Sequence, residues 1–337
     1  MNESLSQLSV LCAYSAMGIY ALAFVAFALD LARRGARATV TTEAPSAVAR
    51  RAETARVAEA GGSTTTLTRI TNRVENEVNW GRKQSKSLRV AFVLTTLGFA
   101  FHLVADILRG VVAGRVPWAN MWEFSLTGTL IIVGVFLLLN IKYDLRFLGA
   151  FVTGLVLVLL GIAAVKYYVA VVPLPPALQS YWLVIHVMVA IIGTAFFAIG
   201  FALSVVQLLQ YRRERQVEEG KPQQFRFLLT MPSSATLENL AYRTNIVAFI
   251  LWTFTLIAGA IWAEKAWGRY WGWDTKEVWT FIIWVIYAGY IHARATRGWR
   301  GSRSAWLAVI GFSAVMFNFG IVNVFFHGLH SYSGLGS

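Results

Sequence analysis

Apolar runs of roughly membrane-spanning length recur along the chain, separated by short polar stretches. They lie near residues 7–31, 88–108, 124–141, 147–166, 181–209, 244–263, 277–295 and 304–326. Lipid offers backbone N–H and C=O groups no partner, so runs of this length predict helices rather than a barrel. The expected fold is an all-α integral membrane protein of about eight transmembrane helices. Two polar tracts interrupt the pattern. Residues 36–79 are rich in Ala, Thr, Glu and Arg, contain Gly61-Gly62-Ser63 and hold no apolar period, which predicts a mobile linker. Residues 211–243 begin basic and continue as KPQQFRFLLTMPSS, with room for a short interfacial helix. No tandem repeat is visible.

Composition agrees with the pattern. The 337 residues are 57% hydrophobic and 14% charged, against about 25% charged in soluble domains, and mean hydropathy is +0.56. The lone cysteine, Cys12, lies in the first apolar run. That excludes an intramolecular disulfide or CxxC chemistry and suits packing. No Lys or Arg precedes the first run, so a cleaved signal peptide with a basic start is not expected.

The net charge of +13 invites a nucleic-acid reading, but its placement argues for topology. Residues 33–89, 142–146, 211–243 and 294–303 carry 24 of the 30 Lys and Arg. The other side carries Arg109, Arg115, Lys166, Lys265, Arg269 and Lys276. Basic loops stay cytoplasmic. Both termini are therefore expected outside the cytoplasmic membrane, the basic excess faces anionic lipid, and no nucleic-acid partner is expected.

One segment departs from ordinary spanning sequence. Trp267–Arg294 reads WGRYWGWDTKEVWTFIIWVIYAGYIHAR, with five of the 13 tryptophans between Trp267 and Trp284. An interfacial aromatic belt explains two or three of these rings. It does not explain Trp267, Trp271, Trp273 and Trp279 gathered at one loop. Asp274 with Glu277 three residues on makes a capping box that aims the positive end of the seventh helix outward. Lys265, Arg269 and Lys276 add positive charge there. A large, flat ligand with acidic groups suits such a surface.

Five histidines complete the candidate chemistry: His102, His186, His292, His327 and His330. Ionisable residues at membrane depth are functional candidates. His186 and His330 lie near the outer ends of their helices and can face each other across a metal such as heme iron. Otherwise each hydrogen-bonds a neighbouring helix. His292 lies about 22 Å inward of Glu277 along its helix, at 1.5 Å per residue. His327, three residues before His330, is expected to be a neighbour rather than a ligand. His102 and Asp106 share a helix face and can form a hydrogen-bonded pair; packing or a local polar contact for each is an equally open reading. Between helices two and three, GRVPWANMWEFSL sets Asn120 and Glu123 beside Trp118 and Trp122. Glu123 either caps the third helix or helps line the site.

These residues resemble a known family. WGRYWGWDTKEVWTFIIWVIYAGYIHAR is similar to the WWD signature of heme-handling proteins in cytochrome c maturation, in the CcsA or ResC branch, called CcsB in actinobacteria. VNVFFHGLHSY resembles that branch's terminal histidine motif, VPWANMWEFSL its P-x-x-N-x-[YW]-E segment, and LQSYWLVIHV its outer histidine. The similarity covers about 90–330. It implies a system II membrane subunit that transports heme b (iron protoporphyrin IX) transiently outward and supports its attachment to CxxCH cysteines of apocytochrome c, as part of a cytochrome c heme lyase. It implies His186 and His330 as external axial ligands, His292 as an intramembrane ligand, and Trp267, Trp271, Trp273, Asp274 and Trp279 as the heme-binding loop. It further implies a ResB-type membrane partner, which supplies the second intramembrane ligand, and a thiol-reducing membrane protein. No catalytic nucleophile is expected, because the reacting thiols belong to the substrate. The family usually has proline where Thr275 stands; threonine still suits a first helical turn. The expected organisation is a first helix at 1–35, a cytoplasmic mobile linker at 36–87 and a heme-handling domain at 88–330, with the external loop at 264–278. The rival functions are a heme exporter without attachment chemistry and a heme-bearing electron-transfer subunit.

Overall fold

The computed structural model describes residues 2–42, 85–174, 178–221, 225–296, 299–326 and 328–330. Among them are eight long helices and no strand. They are α1 Asn2–Thr42, α2 Lys86–Ala113, α3 Met121–Lys142, α4 Gly149–Lys166, α5 Tyr181–Glu218, α6 Ser234–Trp267, α7 Thr275–Ala295 and α8 Ser302–Met316. A π-helical stretch, Phe317–Val322, extends α8 into the short turn Asn323–Phe325. Seven of these helices are long and apolar enough to cross a membrane, so the chain is a multi-pass membrane protein. The helix short of that measure is α7, whose span includes Lys276, Glu277, His292 and Arg294.

Several boundaries differ from the hydropathy reading: α5 runs on to Glu218 and α6 begins at Ser234, against expected limits near 209 and 244. Helix α1 continues to Thr42, past the expected end near 31–35. Polar residues such as Arg33 and Arg34 do not break a helix, and Arg34 pairs with Asp30 one turn back at 2.8 Å. The expected interfacial helix at 211–243 is a 3-10 turn, Arg226–Thr230, that packs on α1. The linker expected at 36–79 falls mostly outside the described residues, as does His327.

The helix ends follow from local sequence. Ser85, Asn120, Ser180 and Ser233 each accept a hydrogen bond from a backbone N–H in the first turn of α2, α3, α5 and α6. Gly268 closes α6 at φ 69°, a left-handed backbone that glycine adopts without strain.

Helix α5 is the hub. Its buried run from Ala195 to Leu203 packs along α6 and also meets α3 and α8. Phe197 of α5 stacks on Tyr287 of α7 with centroids 3.7 Å apart, and Phe201 stacks on Phe312 of α8 at 4.8 Å. Lipid tails are as apolar as these side chains, so close packing of this kind, not burial from water, holds the helices together. Helices α1, α2 and α4 pack as a second group.

A polar lock closes the C-terminal end of α2. Glu123, fully buried, meets Arg109 at 3.0 Å and Arg115 at 2.6 Å. It also accepts from the Ala119 N–H at 3.0 Å. Asn120 provides the α3 cap. Glu123 therefore fastens the loop before α3 rather than lining the cavity described below. Of the two readings open for His102 and Asp106, the structure has separate local polar contacts rather than a mutual pair. His102 Nδ1 lies 3.3 Å from the Tyr20 hydroxyl, and Asp106 Oδ1 lies 2.8 Å from Thr127 Oγ1. Their helix neighbours α1 and α3 supply better-placed partners than the next turn of the same helix.

Candidate functional site

Under the Trp267–Asp274 loop lies a cavity walled by α3, α5, α6, α7 and the end of α8. Both His186, from the second turn of α5, and His330, beyond α8, line it.

Each imidazole is fixed through the same ring atom. His186 Nδ1 lies 3.0 Å from the Thr255 carbonyl oxygen. A carbonyl only accepts, so Nδ1 carries the hydrogen and Nε2 of the neutral ring holds a lone pair. His330 Nδ1 lies 2.7 Å from Asp274 Oδ2, and Asp274 Oδ1 accepts from the Leu329 N–H at 3.2 Å. Among the described residues neither Nε2 makes a hydrogen bond. Histidine with Nδ1–H held by a carboxylate or carbonyl, and Nε2 left available, is the usual arrangement of a metal ligand. The imidazole of His330 beside Asp274 holds that carboxyl below the ordinary aspartate range.

The loop is held by its own carboxylate. Glu277 Oε2 accepts from the Gly272 N–H at 2.8 Å and the Asp274 N–H at 3.1 Å, completing the capping box with Asp274. Asp274 thus has two tasks: it starts α7 and it orients His330.

The tryptophans divide by role. Trp271 lines the cavity. Trp267 packs edge-on against His330 at 4.8 Å. Trp273 is 76% exposed, stands at φ 61° and meets Trp271 edge-on at 5.8 Å. Trp279 lies against Phe317 at 4.3 Å. His292 is on the exposed face of α7, away from the buried Tyr287, Tyr290 and Arg294, and is not among the cavity residues.

Two residues that sequence reasoning passed over shape the site. Trp262 is 2% exposed. It stacks on His186 at 5.8 Å with planes 15° apart and meets His330 at 5.4 Å and Trp267 at 4.8 Å. Gly259 lies one turn earlier on α6. A Cβ there would come within 2.7 Å of His186 Cε1, so only glycine leaves room for the ring. Their spacing, 259 and 262 before Trp267, puts them on the α6 face that continues into the loop; that was the available signal.

No group of three or more His, Cys, Asp or Glu capable of holding a metal occurs among the described residues. The site instead offers two imidazole nitrogens in an aromatic cavity. That donor set fits an ion whose equatorial ligands arrive with it, as in a metalloporphyrin.

The fold and cavity thus define a multi-pass helical membrane protein with paired histidines under a tryptophan-rich loop. Residues 118–330 match the family described as Cytochrome C assembly protein. The cytochrome c biogenesis protein CcsA of Guillardia theta is 36% identical over 242 residues, covering 67% of this chain and 80% of that relative. CcsA of a Prochlorococcus marinus strain is 35% identical over 278 residues, 75% of this chain and 86% of the relative. CcsA of Chlamydomonas reinhardtii is 31% identical over 253 residues, 73% and 69%. The solved structure of Cytochrome c Heme Lyase CcmF shares the fold with a TM-score of 0.59 at 15% identity, over 98% of this chain; the chain spans 50% of that structure's length. The chain belongs to the cytochrome c assembly protein family, in its CcsA/ResC branch.

Proposed function

We propose that this chain is the heme-presenting membrane subunit of a cytochrome c synthase, with His186 and His330 as axial ligands of heme b on the outer side of the cytoplasmic membrane. The carrying observation is the matched pair of imidazoles. Both line one cavity, and each Nδ1 is anchored while Nε2 stays available. The names of the relatives, cytochrome c biogenesis proteins, support the same direction.

Heme enters as the substrate. Its attachment adds a thiol S–H of apocytochrome c across each vinyl group, forming a C–S and a C–H bond with no oxidant and no leaving group. This chain's contribution is positioning. Thr255 and Asp274 set the two rings; Trp262, Trp267 and Trp271 surround them with aromatic surface; Glu277 keeps the loop in place.

His292 belongs to a different position. It is exposed on α7, about 22 Å inward of Glu277 by helical rise. His102, the alternative ligand within this chain, is buried against Tyr20. A ligand from a ResB-type partner that covers the exposed face of α7 is the reading these contacts favour, with heme passing there before reaching the outer cavity.

The test is an absorption spectrum of the purified protein, with attachment assayed on a CxxCH peptide and added partner and reductant. The wild type is expected to give a six-coordinate low-spin heme spectrum. His186→Ala and His330→Ala should each lose it while still inserting in the membrane, and added imidazole should restore part of it. An unchanged spectrum in both variants removes the pair from the site. Heme binding without thioether formation would leave an exporter.

A further inference from the structure

The carboxylates of the cavity wall have other direct partners than its lysine. Asp274 is taken by His330 at 2.7 Å. Glu277 lies 4.0 Å from Arg269 and gives its other oxygen to backbone N–H groups. Lys276 lines the same cavity yet forms no salt bridge among the described residues. Its ammonium instead donates to two neutral oxygens, the Asn318 carbonyl at 3.1 Å and Asn323 Oδ1 at 2.8 Å. When protonated, Lys276 has three hydrogens, so one is left over for an acceptor that enters the cavity.

A second observation points the same way. Asn323 Nδ2 reaches Met121 Sδ at 3.4 Å, which ties Lys276 to the start of α3. There Asn120, 5% exposed, also lines the cavity, and its Nδ2 donor has no partner. A buried amide donor without a partner is costly, and so is a buried ammonium that meets only neutral oxygens at hydrogen-bond distance. Both deficits lie on one cavity, and both would be met by an anionic oxygen acceptor.

We infer that Lys276 and Asn120, positioned by Asn323 and the Asn318 carbonyl, form a carboxylate-binding subsite that holds a propionate of the porphyrin. The inference rests on the reading above that the cavity receives heme. The subsite fixes the rotation of the macrocycle about the axial bonds, which two histidines alone leave free. One carboxylate on Lys276 therefore decides which edge of the ring turns toward the opening.

The experiment compares heme with its dimethyl ester, in which both carboxylates are blocked, by titrating the Soret band of the full-length protein. The wild type is expected to prefer the free acid by roughly tenfold to hundredfold, the range for a hydrogen bond to a charged group. Lys276→Met should bring the two ligands to near-equal affinity, and Lys276→Arg should keep most of the preference. Asn323→Asp leaves Lys276 present but gives it an internal carboxylate. It should abolish the preference as well, which guards against misfolding of the methionine variant. A full preference retained in both Lys276→Met and Asn323→Asp overturns the subsite. A wild type that shows no low-spin spectrum with either ligand instead overturns the heme reading on which it stands.

Discussion

At the scale of single residues, the site depends on space as much as on ligands. Gly259 permits the His186 ring to lie against α6. Gly259→Ala adds one methyl where the nearest ring atom is 2.7 Å away, and such overpacking costs typically 1–3 kcal/mol. The ring is tied to Thr255 of the same helix, so the strain falls on the ligand's orientation. The expected outcome is heme affinity lowered about tenfold or more with normal membrane insertion, read from a Soret titration beside a thermal unfolding curve. Equal loss of both would make Gly259 a packing residue only. A sequence shows that His186 is polar in an apolar run; it does not show that Gly259, 73 positions later, faces it. Trp262 escaped notice for the same reason.

At the scale of elements, the helices were legible and their mutual attachments were not. Long apolar runs place the helices because spanning lengths are set by the bilayer. The capping box of α7 was legible because its two members, Asp274 and Glu277, are three residues apart. Pairing across helices follows from three-dimensional proximity, so the sequence left open whether His102 and Asp106 pair with each other or with neighbouring helices. The role of Glu123 was not legible, because Arg109 and Arg115 read as two scattered outer charges. Glu123→Ala leaves two guanidinium groups without their shared carboxylate, one of them 2% exposed. Breaking a buried pair costs about 3–5 kcal/mol. We expect a large drop in thermal unfolding temperature for Glu123→Ala and little for exposed Lys265→Ala, with His186 and His330 intact. A wild-type unfolding temperature in Glu123→Ala would show that the lock adds nothing to stability.

At the scale of the whole molecule, the site and the charge distribution have to agree about sides. The cavity sits at the end of α5, α6 and α7 that carries few basic residues. The segments at their opposite ends, residues 211–243 and 294–303, carry 10 of the 30 Lys and Arg. By the positive-inside rule the cavity is expected to open outward, the side on which the proposed function needs it. Compartment-sensitive reporters at residues 60 and 337 should report inside and outside respectively. A reporter at 337 that reads cytoplasmic would place the paired histidines on the wrong side for that function. The whole-molecule view also separates His292 from the cavity; under the proposed function the two are successive stations ordered by depth.

The π-helical turn at Phe317–Val322 makes the last helix sensitive to counting. A π-turn holds more residues per turn than the 3.6 of an α-helix, and such bulges gather at functional sites. Asn318 within it and Asn323 just past it both reach Lys276; they are five apart, a spacing that a regular α-helix would splay. Deleting Gly320, beside which a Cβ would meet nothing within 4 Å, should let the segment relax to α-helix without a steric clash. The residue lost is the extra one of the π-turn, so the residues on either side keep their facing and His330 stays beside Asp274. Circular dichroism and the low-spin heme spectrum of the deletion variant should both stay unchanged; a spectrum like that of His330→Ala would show that the turn itself holds the last histidine in place. The π-turn is thus slack built into the last helix, a place where the chain can lose a link without losing its direction.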